Sequence, residues 1–193
     1  ELQARFDEAN NIKWTNMLRA EGIKVVSGVP GLKVHSKLTL IRRDEGKEKL
    51  VDYCVVGTGN YHEGTAKIYT DYHLLTSKKQ ITKEVRKVFT FIESPYKQYN
   101  YKHLLVSPNS TREGIFALID REIAHARAGR EAKFWVKINS VSDHEMIAKL
   151  YEASASGVSI RMIVRGINCI DFSITLCSLT ADKAITSFAS NTF

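Results

Sequence analysis

The chain has 193 residues, 44% of them hydrophobic, which is enough apolar material for one ordinary domain or two small ones. A formal charge of +7 favours an anionic partner, whether a phosphate ester, nucleic acid or a membrane surface, without choosing among them. Cys54, Cys169 and Cys177 are odd in number and form no CxxC pair, which argues against a disulfide framework and a cysteine zinc site; no apolar run is long enough to span a membrane and no signal peptide is visible, so a cytoplasmic protein is expected.

Residues 1–6 show no initiator methionine and read as the end of a strand already under way, the expectation for a piece of a longer chain. Asp7 is placed to cap a helix to about Glu21, with Gly22 as its stop. A short strand is expected over 23–27, then a turn at Val29-Pro30-Gly31. The stretch 32–41 alternates, with Val34, Leu38 and Leu40 on one parity and His35, Lys37 and Thr39 on the other, which predicts a strand. Residues 42–49 read as a charged hairpin loop, 50–56 as the returning strand, and Gly57-Thr58-Gly59-Asn60 as its break. Another strand is expected over 69–76, with Tyr69, Asp71 and His73 on one face.

The stripe Ile81, Val85, Val88, Phe89 and Ile92 predicts a helix closed by Ser94-Pro95. Residues 96–109 read as a connection between two units. A helix at 110–128, a strand at 133–139, a helix at 143–156 and a strand at 158–164 follow. A helix end, a glycine and a strand occur around Gly22 and again around Gly157, a weak echo that any two α/β units would give. The segment 171–193 is rich in Ser, Thr and Ala and shows no period.

The chemistry concentrates at His35 and Lys37. On one strand face they would set an imidazole beside an ammonium, which suits a nucleophile attacking a phosphoryl group with a cation to hold its charge. A free imidazole has a pKa of about 6.5, so a neutral attacking nitrogen is available near pH 7. The backbone N–H groups of the Gly57–Asn60 bend and the Asn60 carboxamide are candidates to meet an anion. His62, His73, His103, His125 and His144 show no metal-ligand spacing and read as structural or surface residues.

The order His-x-Lys, strand, Gly-x-Gly-Asn resembles half of a phospholipase D-type site, in which the histidine attacks phosphorus. That superfamily's usual aspartate, seven residues after the histidine, is Arg42 here, which counts against diester hydrolysis. Read together, five longer segments, two of them containing these motifs, resemble the C-terminal phospholipase D-like region of bacterial polyphosphate kinase, in order from Glu1 to about Cys169. They are Glu1-Leu2-Gln3-Ala4-Arg5-Phe6-Asp7-Glu8, Gly31-Leu32-Lys33-Val34-His35-Ser36-Lys37-Leu38, Gly57-Thr58-Gly59-Asn60-Tyr61, Tyr69-Thr70-Asp71-Tyr72 with Leu74-Leu75-Thr76, and Val164-Arg165-Gly166.

The resemblance implies an α/β fold of phospholipase D-like mixed sheets flanked by helices. One near-complete domain would occupy 1–106, the start of a second 107–170, and a divergent tail 171–193. It implies transfer of the terminal phosphate of ATP to polyphosphate through a phosphohistidine. His35 matches the nucleophile, and Lys37 beside it would stabilise charge. Tyr69 and Arg165 match positions that bind the nucleotide or its phosphates, with Asn60 as a further phosphate contact. Arg5 matches an arginine of the magnesium–phosphate site; having only donors, it reads as a phosphate clamp and not as a ligand of Mg2+.

ATP, ADP and inorganic polyphosphate are the partners implied, with no specific nucleic acid; a homo-oligomer and peripheral membrane association are compatible with the family. The family's second histidine has no match, because the last histidine here is His144, ahead of Arg165. The chain alone is therefore expected to make little or no polyphosphate. Two other readings stay open at this point: a phospholipase D-like phosphodiesterase, and a non-catalytic polyanion-binding module.

Overall fold

The computed structural model describes residues 8–46 and 49–170. These form two units that meet between Asn109 and Ser110 in the chain. Each is mixed α/β, with sheets flanked by helices, as the alternating patterns predict.

In the first unit, helix α1 (Glu8–Ala20) precedes strands β1 (Lys37–Asp44) and β2 (Leu50–Gly57), the short helix α2 (Glu63–Ala66), strand β3 (His73–Thr76) and helix α3 (Lys79–Glu93). The sheet runs β1-β2-β3, antiparallel throughout, with Lys37 opposite Gly57 and Gly57 opposite His73. Helix α3 packs on one face of β1 and β2. Val85 and Val88 on its apolar stripe are buried, as is Cys54 on β2. Alternation assigns the faces: Leu38, Leu40, Arg42, Asp52, Cys54 and Val56 turn towards α3, and Lys37, Thr39, Tyr53 and Val55 turn away.

Arg42 shows why the expected 42–49 loop is shorter. Arg42, Arg43 and Asp44 belong to β1, so the connection to β2 is residues 45–49, with Gly46 in the left-handed region at φ 85°. Arg42 Nε donates to Asp52 Oδ1 at 3.0 Å across the strand pair, and Arg86 of α3 pairs with the same carboxylate. The residue standing where a phospholipase D-type aspartate would lie therefore joins β1 to Asp52 of β2, the carboxylate that also holds Arg86 of α3, on the face opposite Lys37.

Three other expectations are corrected. Residues 23–27 form no strand; Arg19 of α1 clasps them, donating to Val25 O at 3.5 Å and Ser27 Oγ at 3.1 Å. The echo around Gly22 and Gly157 thus extends to a helix end and a left-handed glycine, at φ 74° and 93°, but not to a following strand in both places. Strand β1 begins at Lys37 and not at Leu32, because β2 ends at Gly57 and offers the preceding residues no ladder partner. Strand β3 begins at His73 and not at Tyr69, because α2 intervenes: the Tyr69 N–H closes back on Thr65 O at 3.0 Å. Helix α2 itself is capped by His62, whose Nδ1 accepts from Thr65 N at 3.2 Å.

The segment after α3 is fastened by Glu84. Its carboxylate, on a residue only 4% exposed, accepts from the backbone N–H of Lys102 at 2.7 Å and of His103 and Leu104 at 2.9 Å each. Burial pushes this carboxyl up, but the three N–H donors outweigh it and hold the group below the ordinary glutamate value.

The second unit contains helix α4 (Thr111–Arg127), strand β4 (Lys133–Ile138), helix α5 (His144–Ala155) and strand β5 (Ser159–Val164). Strands β4 and β5 are parallel and joined through α5, a βαβ crossover. Asp143 caps α5, accepting from Met146 N at 2.9 Å. Ile119, Ile123, Leu150, Ala153, Val158 and Ile160 form its buried core. Arg5, Cys177 and the tail from residue 171 lie outside the described residues.

Candidate active site

At the end of the first sheet where β1 begins, the side chains on the face away from α3 make a polar cluster. Lys37 stands first in β1, partly buried. Its Nζ donates to the main-chain carbonyl of His35 at 2.7 Å. His35 is exposed, in the irregular segment just before the strand. The pairing of His35 with Lys37 therefore does not arise from a shared strand face. The lysine folds back and fixes the backbone that carries the imidazole.

Opposite Lys37 lies Gly57, followed by the bend Thr58-Gly59-Asn60. Neither Gly57 nor Gly59 is in the left-handed region, so neither is required for a turn. They are required for room. A Cβ on Gly57 would meet His73 Nδ1 at 2.3 Å, and one on Gly59 would meet Asp71 Oδ2 at 2.5 Å. Asp71 lies across Gly59 and accepts from Thr58 Oγ1 at 2.8 Å; that hydroxyl also accepts from Tyr72 N at 3.1 Å. Beside them the Thr39 and Tyr61 hydroxyls share a hydrogen bond of 2.8 Å.

The bend is thus less open to an anion than its glycines suggest. The Thr58 N–H is committed to Tyr72 O at 3.0 Å, and the Asn60 carbonyl accepts from His62 N at 2.8 Å. The cation of this cluster is Lys37. Burial pushes its ammonium below the ordinary lysine value; Asp71 opposes that shift and Lys33 adds to it. One of the ammonium's three donors goes to the His35 carbonyl.

Tyr69 is exposed on the segment between α2 and β3. Arg165 belongs to the second unit, just past β5, where its Nε and an Nη donate to Asn139 Oδ1 at 3.1 and 2.8 Å. Arg5 lies outside the described residues. Among the described residues no three His, Cys, Asp or Glu side chains are grouped to hold a metal, and no helix is long and apolar enough to cross a membrane. Pattern reading did not find the Thr58–Asp71 bond or the seat of His73 on Gly57. The signal available was the matching spacing of the two pairs: Gly57 and Gly59 are two residues apart, as are Asp71 and His73.

The family description "Polyphosphate kinase C-terminal domain 1" matches residues 1–98, and "Polyphosphate kinase C-terminal domain 2" matches 104–183, past Cys169 where the motif resemblance ends. Curated polyphosphate kinases of Vibrio parahaemolyticus and Escherichia coli K12 are 51% and 48% identical over 166 residues, each alignment covering 86% of this chain and 24% of the relative. A crystal structure of polyphosphate kinase from Porphyromonas gingivalis superposes with a TM-score of 0.75 at 37% identity, over 88% of this chain and 28% of that one. The sequence spans about a quarter of the length of these relatives, and it belongs to the polyphosphate kinase family.

Proposed function

We propose that this chain carries the phosphoryl-accepting centre of a polyphosphate kinase. A neutral ring nitrogen of His35 attacks the γ-phosphorus of ATP. The N–P bond forms, the bond from that phosphorus to the bridging oxygen breaks, and ADP leaves with the electron pair. The terminal oxygen of a polyphosphate chain then attacks the phosphohistidine, lengthening the polymer by one unit and restoring the imidazole. Such transfers depend on positioning and charge stabilisation, with little covalent work for the protein.

The observation that supports this reading is the 2.7 Å bond tying Lys37 to the backbone of an exposed His35 at the mouth of a glycine bend. Lys37 neutralises charge on the passing phosphoryl group. Tyr69 contacts the nucleotide, and Asn60, Arg165 and Arg5 contact phosphates, the guanidinium forks gripping oxygens in pairs. The residues around Lys37 do not themselves make a magnesium cage: the carboxylate beside it, Asp71, is bonded to Thr58. Mg2+ commonly keeps several waters and takes one or two carboxylates plus substrate phosphates, so on this reading the ion arrives with the nucleotide. ATP, ADP and inorganic polyphosphate are the substrates, in the cytoplasm or at a membrane surface.

Single-turnover reaction with γ-labelled ATP and Mg2+ tests the proposal. The expected product is a protein-bound phosphate that is acid-labile and base-stable, with little sustained polyphosphate synthesis by this chain alone. Cleavage of a phosphodiester without nucleoside triphosphate would replace the proposal with diesterase chemistry. Salt-sensitive polyphosphate binding that is indifferent to His35→Ala, with no covalent phosphate, would replace it with a binding module.

A further inference from the structure

We propose that His73 is a second phosphate contact of the phosphoryl-transfer site, its imidazole reaching across Gly57 towards Lys37 to donate to the same phosphate. This deepens the reading of Lys37 as a phosphate contact and rests on it.

The two residues stand in one row of the sheet. Lys37 is paired with Gly57 of β2, and Gly57 with His73 of β3. Residues directly opposite in a ladder share a face, so all three positions turn away from α3. Opposed Cα atoms in antiparallel strands lie about 5 Å apart, which sets Lys37 and His73 roughly 10 Å apart with the glycine between them. A side chain at position 57 would wall one from the other. Its absence opens that space, and the His73 ring lies in it: an alanine methyl there would fall 2.7 Å from Cε1 and 3.4 Å from Cγ, with Nδ1 nearer still. The imidazole therefore sits over the middle strand, about one strand spacing from the backbone of Lys37.

The neighbours of this row are engaged with one another. Lys37 holds the His35 carbonyl, the Thr39 hydroxyl in the next row shares its hydrogen bond with Tyr61, and Asp71 accepts from Thr58 Oγ1 at 2.8 Å. His73 is exposed, and among the described residues no hydrogen bond engages its ring. An imidazole has an N–H to give in either charge state, and a bound phosphate favours the charged one. Ammonium and ring N–H then meet the oxygens of one phosphate from two different strands, a grip that Lys37 by itself does not supply. Gly57 is what lets the two approach.

Binding of inorganic tripolyphosphate to the purified chain, followed by calorimetry, tests the contact. His73→Phe keeps a ring over Gly57 and removes its nitrogens, and should weaken binding about tenfold, the scale of losing a hydrogen bond to a charged group. Gly57→Ala keeps the imidazole but fills its space, and should weaken binding comparably. In a His73→Ala background the added Gly57→Ala should change affinity by less than about twofold, since no ring remains to displace. Unaltered affinity in folded His73→Phe, a Gly57→Ala effect that is the same with and without His73, or no binding of tripolyphosphate by the unaltered chain would each overturn the proposal. If Gly57→Ala fails to fold, His73→Phe decides alone. The assay uses no ATP, so a missing phosphohistidine would count against the kinase reading and leave this contact to be judged separately.

Discussion

Lys37 Nζ and the His35 carbonyl oxygen are 2.7 Å apart, so the cation and the backbone that carries the His35 imidazole move together. On the proposed reading a lysine in this position has two duties, neutralising charge and holding the His35 main chain, and they can be separated by substitution. Lys37→Met removes both and should slow phosphorylation of His35 by about a hundredfold or more, the scale of losing one preorganised stabilising group. Lys37→Arg keeps the charge but replaces a compact ammonium with a planar fork. It should recover part of the rate, measured by quenched-flow labelling. Equal rates in all three proteins would show that Lys37 plays neither part.

Asp52 accepts from Arg42 on the neighbouring strand and pairs with Arg86 of α3, on the face away from Lys37. Its side chain is 11% exposed, so Asp52→Asn leaves two arginines facing each other with a neutral acceptor between them. A loss of about 1–3 kcal/mol in the first unit is expected. The change is read by urea unfolding with Trp14 as fluorophore in a Trp135→Phe background, which reports the first unit by itself. The rate of His35 labelling in the folded fraction should be little changed, since Arg42 and Asp52 serve packing.

Glu84 gives the first unit an acid sensitivity of definite sign. Its carboxyl is held below the ordinary value in the fold by N–H groups of Lys102, His103 and Leu104 that the unfolded chain lacks. The stabilisation it gives is therefore fully present above the unfolded value of about 4.3 and is lost as pH falls through the lower folded value. Glu84→Gln sets an amide against backbone donors and should destabilise the unit by about 1–3 kcal/mol at pH 7. The same Trp14-detected unfolding, repeated from pH 7 down to pH 3, should show the gap between the two proteins closing.

What the sequence disclosed follows the range of the forces involved. Helix α3 and the α4-β4-α5-β5 run are set by local apolar period and by caps such as Asp143, and all of these are visible in a single chain. Strand ends are set by neighbours. His35 falls outside β1 because β2 stops at Gly57, a fact about another segment. Helix α2 has four residues, too few to show a period. His35 and Lys37 stood out as residue types at a spacing, but their linkage runs through a lysine side chain curling back to a main-chain oxygen. Gly57 and Gly59 looked like turn residues and proved to be space for His73 and Asp71, which only three-dimensional proximity reveals. Arg42 read as loop and as a departure from the phospholipase D pattern; its partners explain its presence in the sheet.

The account stands most directly on where the phosphate goes. Reaction with γ-labelled ATP and Mg2+, followed by mass mapping of phosphopeptides under alkaline conditions, should place the phosphoryl group on the His35 imidazole and lose it in His35→Ala. Phosphate mapped to another residue, or labelling that persists undiminished in His35→Ala, would contradict it.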